Sequence, residues 1–267
     1  MPRRRRASVA LVASALLCAS VLTGCSPVSV TAGPAPPITT DWWSTAEWWA
    51  FGDSLFAGHS SVPGAPSHLR GVVNAAAGGT TLVPVTTSMG NPNGDLAGQI
   101  SAAIERAGRP RHVIISAGMA DLYARQVWGA DLPLASYTDR YVDITQWLRH
   151  LGIDVHWMTI TPITSWGIVG AQAWLQSALN AWLRSSGLPL VDCESSLQAP
   201  GSPWLDDSLT FALDGVHLNE TGSLTYARCI SAAIGVPLTT DPVEPDPPVP
   251  DTTAPDPSVP DPGPPGP

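Results

Sequence analysis

Short apolar runs, each closed by a small or polar residue, alternate in this chain with longer stretches of helical periodicity. Trp48-Trp49-Ala50-Phe51 runs into Gly52, Val72-Val73 into Asn74, and Val113-Ile114-Ile115 towards Gly118; Val155 to Ile160 is stopped by Pro162. Gly94 to Ala107 carries Leu96, Ile100 and Ile104 at helical spacing, and Ser136 to Leu151 places Tyr137, Tyr141, Ile144 and Leu148 on one stripe. Ala171 to Leu183 and Glu220 to Ile234 also read as helices, with Leu188 to Val191 a strand between them. Continuous apolar runs of this length suit strands buried on both faces. Their alternation with amphipathic helices predicts a parallel sheet covered by helices on both sides.

The first run has a consequence for chemistry. Gly52 is the residue type that permits a sharp turn, which puts Ser54 just past the carboxyl end of the first strand. Open α/β sheets hold their ligands at that end. A serine there is a weak nucleophile until a base removes its proton, and the base needs a carboxylate to fix its tautomer. Asp214-Gly215-Val216-His217 supplies both in one short turn. Asp53 is expected to brace the turn rather than act on a substrate.

Both ends of the chain lie outside this pattern. Arg3 to Arg6, the apolar Ala10 to Leu22 and the closing Leu22-Thr23-Gly24-Cys25 form a secretory leader over residues 1–24. Its last four residues resemble a lipobox, so Cys25 is expected to carry lipid after cleavage. Residues 25–40 are rich in Pro, Thr and Ser and read as a tether. A domain over 41–237 follows, and 238–267 is a Pro- and Asp-rich tail that cannot bury enough surface to order itself. The protein is therefore expected to be exported, held on the outer face of the cell membrane by its lipid anchor, or secreted.

All 13 basic residues are Arg. The leader removes four of them and none of the 22 acidic residues, so the mature chain carries −13. That balance argues against nucleic acid as a partner. Cys18 leaves with the leader and Cys25 would be acylated, so Cys193 and Cys229 remain as the expected disulfide of an exported protein. Neither has a His or Cys at ligand spacing, and no metal or cofactor is expected.

Taken together the motifs resemble the SGNH/GDSL hydrolase family. Gly52-Asp53-Ser54-Leu55 is similar to its first block, Asn74-Ala75-Ala76-Ala77-Gly78-Gly79-Thr80 to its second, and Asp214-Gly215-Val216-His217 to its last. The resemblance implies a three-layer, flavodoxin-like α/β/α sandwich around a mainly parallel five-stranded sheet. It implies Ser54, Asp214 and His217 as catalytic residues, with the backbone of Ser54 and Gly79 forming an oxyanion hole. The implied activity is hydrolysis of short acyl or acetyl esters, on small molecules or glycans, without a metal; the protein is expected to be a monomer without a cofactor. The third block departs: Gly118-Met119-Ala120-Asp121 has Ala120 where the family carries an Asn donor. A slow esterase, a hole completed by Asn91 or Asn93, and a fold kept for binding a glycan or protein partner all remain open. Of the eleven Trp, Trp166 and Trp204 are the candidates for stacking on a sugar, and core or rim packing is the alternative. His59, His68, His112, His150 and His156 read as structural or surface residues.

Overall fold

A computed structural model describes residues 43, 45–85, 94–167, 169–211 and 214–240. The leader, Cys25, the tether, Asn91, Asn93 and most of the tail lie outside the described residues. The strands are β1 (Trp48–Gly52), β2 (Gly58–His59), β3 (Val62–Pro63), β4 (Val72–Asn74), β5 (His112–Ser116), β6 (Asp154–Met158) and β7 (Leu190–Val191). The helices are α1 (Ser54–Ala57), α2 (Leu96–Ala107), α3 (Met119–Trp128), α4 (Leu134–His150), α5 (Ala173–Ser185), α6 (Glu194–Leu197) and α7 (Glu220–Ile234).

Five strands form one sheet in the order β4-β1-β5-β6-β7, every pair parallel. β1 lies between β4 and β5, with Trp48 opposite Val72 on one side and His112 on the other. The chain order therefore reverses at β1, and doubly wound sheets open their ligand crevice at such a switch. Trp49, Ala50, Phe51, Val113, Ile114 and Ile115 are fully buried, as strands covered on both faces require. Each large side chain so buried contributes about 1.5–3 kcal/mol. The stripe Tyr137, Tyr141, Ile144 and Leu148 is the buried face of α4, which packs on β6 and α5.

The expected elements are present, with their ends moved. β6 stops at Met158 rather than Ile160, and β7 keeps two residues of the four expected. The helix expected from Ala171 opens with a 3-10 turn over Gly170–Gln172 before α5. Helix α3, the β2–β3 hairpin and a 3-10 turn at Ala65–His68 are additions to the expected elements. Helix α3 starts without a side-chain cap at Gly118, so the usual sequence signal for a helix start is absent. Leu238 and Thr239 pair with Leu69 and His68, which carries ordered chain slightly past the expected boundary at 237.

Candidate active site

Four elements hold the turn after β1. Gly52 has φ 143°, and a Cβ there would lie 1.9 Å from the Ser116 carbonyl oxygen, so only glycine fits between β1 and β5. Asp53 caps α1: its Oδ1 accepts the Leu55 N–H at 3.1 Å, and its Oδ2 accepts the Ala120 N–H at 3.2 Å. The expected bracing role is thus seen, and it reaches across to α3. Burial pushes the Asp53 carboxyl up to about 6, against the pull of these N–H donors. From α2, the Gln99 amide serves both backbone groups of Gly52, accepting its N–H at 3.0 Å and donating to its carbonyl at 3.2 Å. The same amide donates to Thr80 Oγ1 at 3.0 Å.

The Gly78-Gly79 loop is set by β4. Beyond that strand, Ala75 and Ala77 N–H groups continue bonding to the Ala50 and Gly52 carbonyls. Asn74 donates to the Phe56 carbonyl at 2.7 Å and accepts the Ala76 N–H at 3.2 Å, tying the loop to α1. Asp121 accepts the Leu82 and Val83 N–H groups at 2.7 and 3.1 Å. Burial raises this carboxyl to about 7, with nearby Asp53 adding to the rise.

The second half comes from the turn before α7. Asn219 caps that helix by accepting the Gly222 N–H at 3.0 Å, and its amide donates to the Ser208 and Thr210 carbonyls. A bridge between Thr210 and Leu218 closes the loop that presents Asp214 and His217. Thr164 buttresses it from outside, its hydroxyl donating to the Gly215 carbonyl at 3.0 Å. Gly215 has φ 65°, and a Cβ there would meet that hydroxyl at 2.0 Å. The expected disulfide forms between Cys193, just before α6, and Cys229 on α7, with Cα atoms 5.9 Å apart.

These two halves bring the sequence candidates together. Ser54 Oγ lies 2.8 Å from His217 Nε2, and His217 Nδ1 lies 2.8 Å from Asp214 Oδ2. Asp214 Oδ1 accepts the Val216 and His217 N–H groups at 2.8 and 2.9 Å. Partial burial pushes the Asp214 carboxyl up, but those N–H bonds and the imidazole outweigh it and hold the group below its ordinary value. It is thereby kept as the anion that an imidazolium needs.

A model of the GDSL-like lipase/acylhydrolase family matches residues 50–223. The chain belongs to this family. Among solved structures, a candidate acylhydrolase from Bacteroides fragilis superposes with a TM-score of 0.52 at 21% identity, over 71% of this chain and 86% of that one. A candidate lipolytic protein of the G-D-S-L family from Desulfitobacterium hafniense gives 0.53 at 15% identity, over 71% and 99%. An acetyl xylan esterase gives 0.51 at 17% identity, over 70% and 99%. Likeness at these identities shows the shared α/β fold. Among the curated proteins there is no match.

Where this GDSL-family chain departs is visible in the cleft. A cavity of about 480 Å³ is lined by Ser54, Gly78, Gly79, Asp214 and His217 together with Met119, Ala120, Tyr123, Trp128, Val169 and Val216. Ala120 presents a methyl group to it, and its N–H is already given to Asp53. Apart from Ser54, Asp214, His217 and the polar tips of Tyr123 and Trp128, the side chains lining the cavity are apolar. Trp166 is half-exposed, its Nε1–H on Asp207 at 3.2 Å and its ring against the Gly215 turn, whereas Trp204 lines a separate surface hollow with Trp174.

One histidine read as structural or surface belongs to the site. The His59 ring, on the β2–β3 hairpin, stacks on His217 with centroids 4.0 Å apart and planes 16° apart. His59, Asp214 and His217 each offer a ligand atom within a 4.8 Å cluster. Both nitrogens of His217 are engaged, however, and near-parallel rings aim their in-plane lone pairs alongside one another instead of at a common point. The arrangement suits a stack better than a chelate. The partners of Gln99 and Asp121 were also unforeseen, because a polar residue gives no sign in the sequence of which distant backbone it will reach.

Proposed function

We propose that this family member is an extracytoplasmic serine esterase acting on short acyl or acetyl esters. The observation that carries the reading is the relay Ser54–His217–Asp214, with both contacts at 2.8 Å. In the proposed reaction His217 takes the Ser54 hydroxyl proton as Oγ attacks the ester carbonyl. Asp214 holds the imidazolium that forms. The tetrahedral intermediate expels the alcohol, which receives the proton from His217, and leaves an acyl-serine. Water then repeats the sequence to release the acid. Backbone N–H groups of Ser54 and Gly79 are assigned to the oxyanion, and Ala120 leaves that hole short of a side-chain donor. The apolar wall of Met119, Tyr123, Trp128 and Val169 favours the acyl part of the substrate over a sugar.

Export by the leader and anchoring through Cys25 belong to the same proposal. No helix among the described residues is long and apolar enough to cross a membrane. The test is turnover of p-nitrophenyl acetate and butyrate, with labelling of the protein by a fluorophosphonate. Ser54→Ala and His217→Ala should each remove nearly all turnover, and Ser54→Ala all labelling, because members of such a unit act together. Wild-type turnover in Ser54→Ala would overturn the reading. A well-folded wild type that neither turns over nor labels would favour a binding protein on the same fold.

A further inference from the structure

We infer that His59 is a positioning residue for the base: its ring is the fixed plate against which His217 is held while it takes and returns the serine proton. The inference rests on the esterase reading above. An imidazole bonded only through its two nitrogens is held along the line joining them but remains free to tilt about that line. Such a tilt leaves Nε2 in place but swings its in-plane lone pair away from the Ser54 hydroxyl, and proton transfer is sensitive to that misalignment. His217 sits between Asp214 and Ser54 along that line, and His59 lies flat on one of its faces at 4.0 Å.

The plate is itself anchored. Phe211 meets the His59 ring edge-on at 5.5 Å. The hairpin behind it is short, with Gly58 opposite Pro63 and His59 opposite Val62. Ser223 of α7 donates to the Pro63 carbonyl at 2.7 Å, so the hairpin is tied to the helix that follows the catalytic turn. Gly64 closes the hairpin where a Cβ would meet the Phe56 carbonyl oxygen at 1.8 Å, leaving the hairpin little room to shift against α1.

The ring also has the right charge for its place. Burial and the neighbouring His217 lower the His59 pKa, with Asp214 pulling the other way. A neutral aromatic ring turned face-on to His217 stabilises the imidazolium as it forms and leaves the neutral base almost unaffected. That is a gain confined to the transition state and the ionic intermediate.

The experiment compares wild type, His59→Ala and His59→Phe with p-nitrophenyl acetate, together with thermal melts and the proton NMR signal of the His217 Nδ1–H. His59→Ala should lower kcat by about 5- to 30-fold, the rate equivalent of one cation–π contact. Its KM should stay within about twofold, since substrate binding does not use the ring. The downfield Nδ1–H signal should broaden or disappear. His59→Phe keeps a flat ring without a titrating nitrogen and should recover kcat to within about threefold of wild type. If His59→Ala keeps wild-type kcat and a sharp Nδ1–H signal, the inference falls and the esterase reading stands. If His59→Phe is as impaired as His59→Ala at equal melting temperature, the ring nitrogen matters and not the stack, which also overturns it. If the wild type itself shows no turnover, the esterase reading fails, and the Nδ1–H signal alone decides whether His59 orders His217.

Discussion

Replacing Ala120 by Asn tests whether the cleft lacks one hydrogen bond. Ala120 lies in the first turn of α3, its N–H fixed to Asp53 at 3.2 Å, and its methyl lines the cavity with Ser54, Gly79 and His217. The backbone there is held on the preceding side too. Gly118 has φ 117°, and a Cβ would lie 2.6 Å from the Ile160 side chain, so the turn into α3 has one available path. A carboxamide at 120 thus starts from a fixed base and points into a cavity of about 480 Å³, which has room for it. A well-aimed oxyanion donor is worth roughly 2.7–4 kcal/mol in the transition state. Ordering the new side chain costs about 1 kcal/mol. The net gain of about 2–3 kcal/mol corresponds to roughly 30- to 150-fold in kcat. KM should change little, because the bond strengthens only as negative charge develops on the oxygen. Steady-state kinetics on p-nitrophenyl acetate and butyrate measures this directly. An unchanged or lower kcat in a variant that melts with the wild type would refute the reasoning. The hole would then already be complete, and Asn91→Ala and Asn93→Ala would show whether either residue completes it.

Four further outcomes are expected. Asp53 and Asp121 have carboxyls raised by burial to about 6 and about 7, so the folded state holds protons that the unfolded chain has lost. Their contribution to stability is complete below about pH 4 and is lost as the pH rises through 6 and 7. The lowered His59 and His156 act in the opposite sense, losing stability below about pH 6.5, so the wild-type slope alone is mixed. The decisive quantity is the difference: calorimetry from pH 4.5 to 8 should find Asp121→Asn losing less melting temperature than wild type as the pH rises, and parallel curves would sink the argument. Cys193 and Cys229 close a loop of sequence separation 36 that carries Asp214 and His217. Cys193→Ser with Cys229→Ser should cost about 3–4 kcal/mol by the chain-entropy model, read from denaturant midpoints, and a loss below about 1 kcal/mol would contradict it. The apolar wall predicts that Val169→Trp lowers kcat/KM for p-nitrophenyl butyrate or hexanoate more than for the acetate; equal losses would mean that the acyl group lies elsewhere. Intact protein should partition with membranes and carry a diacylglycerol mass on Cys25 that Cys25→Ser lacks, and an unlipidated mature chain beginning at another residue would end the anchoring proposal.

Much of this architecture is written locally. Buried parallel strands must be apolar throughout, so Trp48 to Phe51 and Val113 to Ile115 announce themselves, as does the α4 stripe of Tyr137, Tyr141, Ile144 and Leu148. Ser54 and the pair Asp214 and His217 were legible because their chemistry demands particular residue types beside particular turns, with Gly52 and Gly215 marking where the chain bends. Cys193 and Cys229 were legible by elimination, since two thiols remained. Other features depend on where distant segments arrive, and no local pattern encodes that. His59 looks like any of five scattered histidines until the hairpin folds it onto a residue 158 positions away. Gln99 looks like an ordinary polar position on a helix and Asp121 like the end of a short family block, but one holds both backbone groups of Gly52 and the other is a buried carboxyl clasping Leu82 and Val83. Helix α3 itself begins without a side-chain cap of its own, its first turn held instead by Asp53 from the end of the neighbouring strand β1. Residue type and spacing determined the candidate reacting groups; tertiary contact decided what holds them in register, because orientation within a fraction of an ångström is a property of packing.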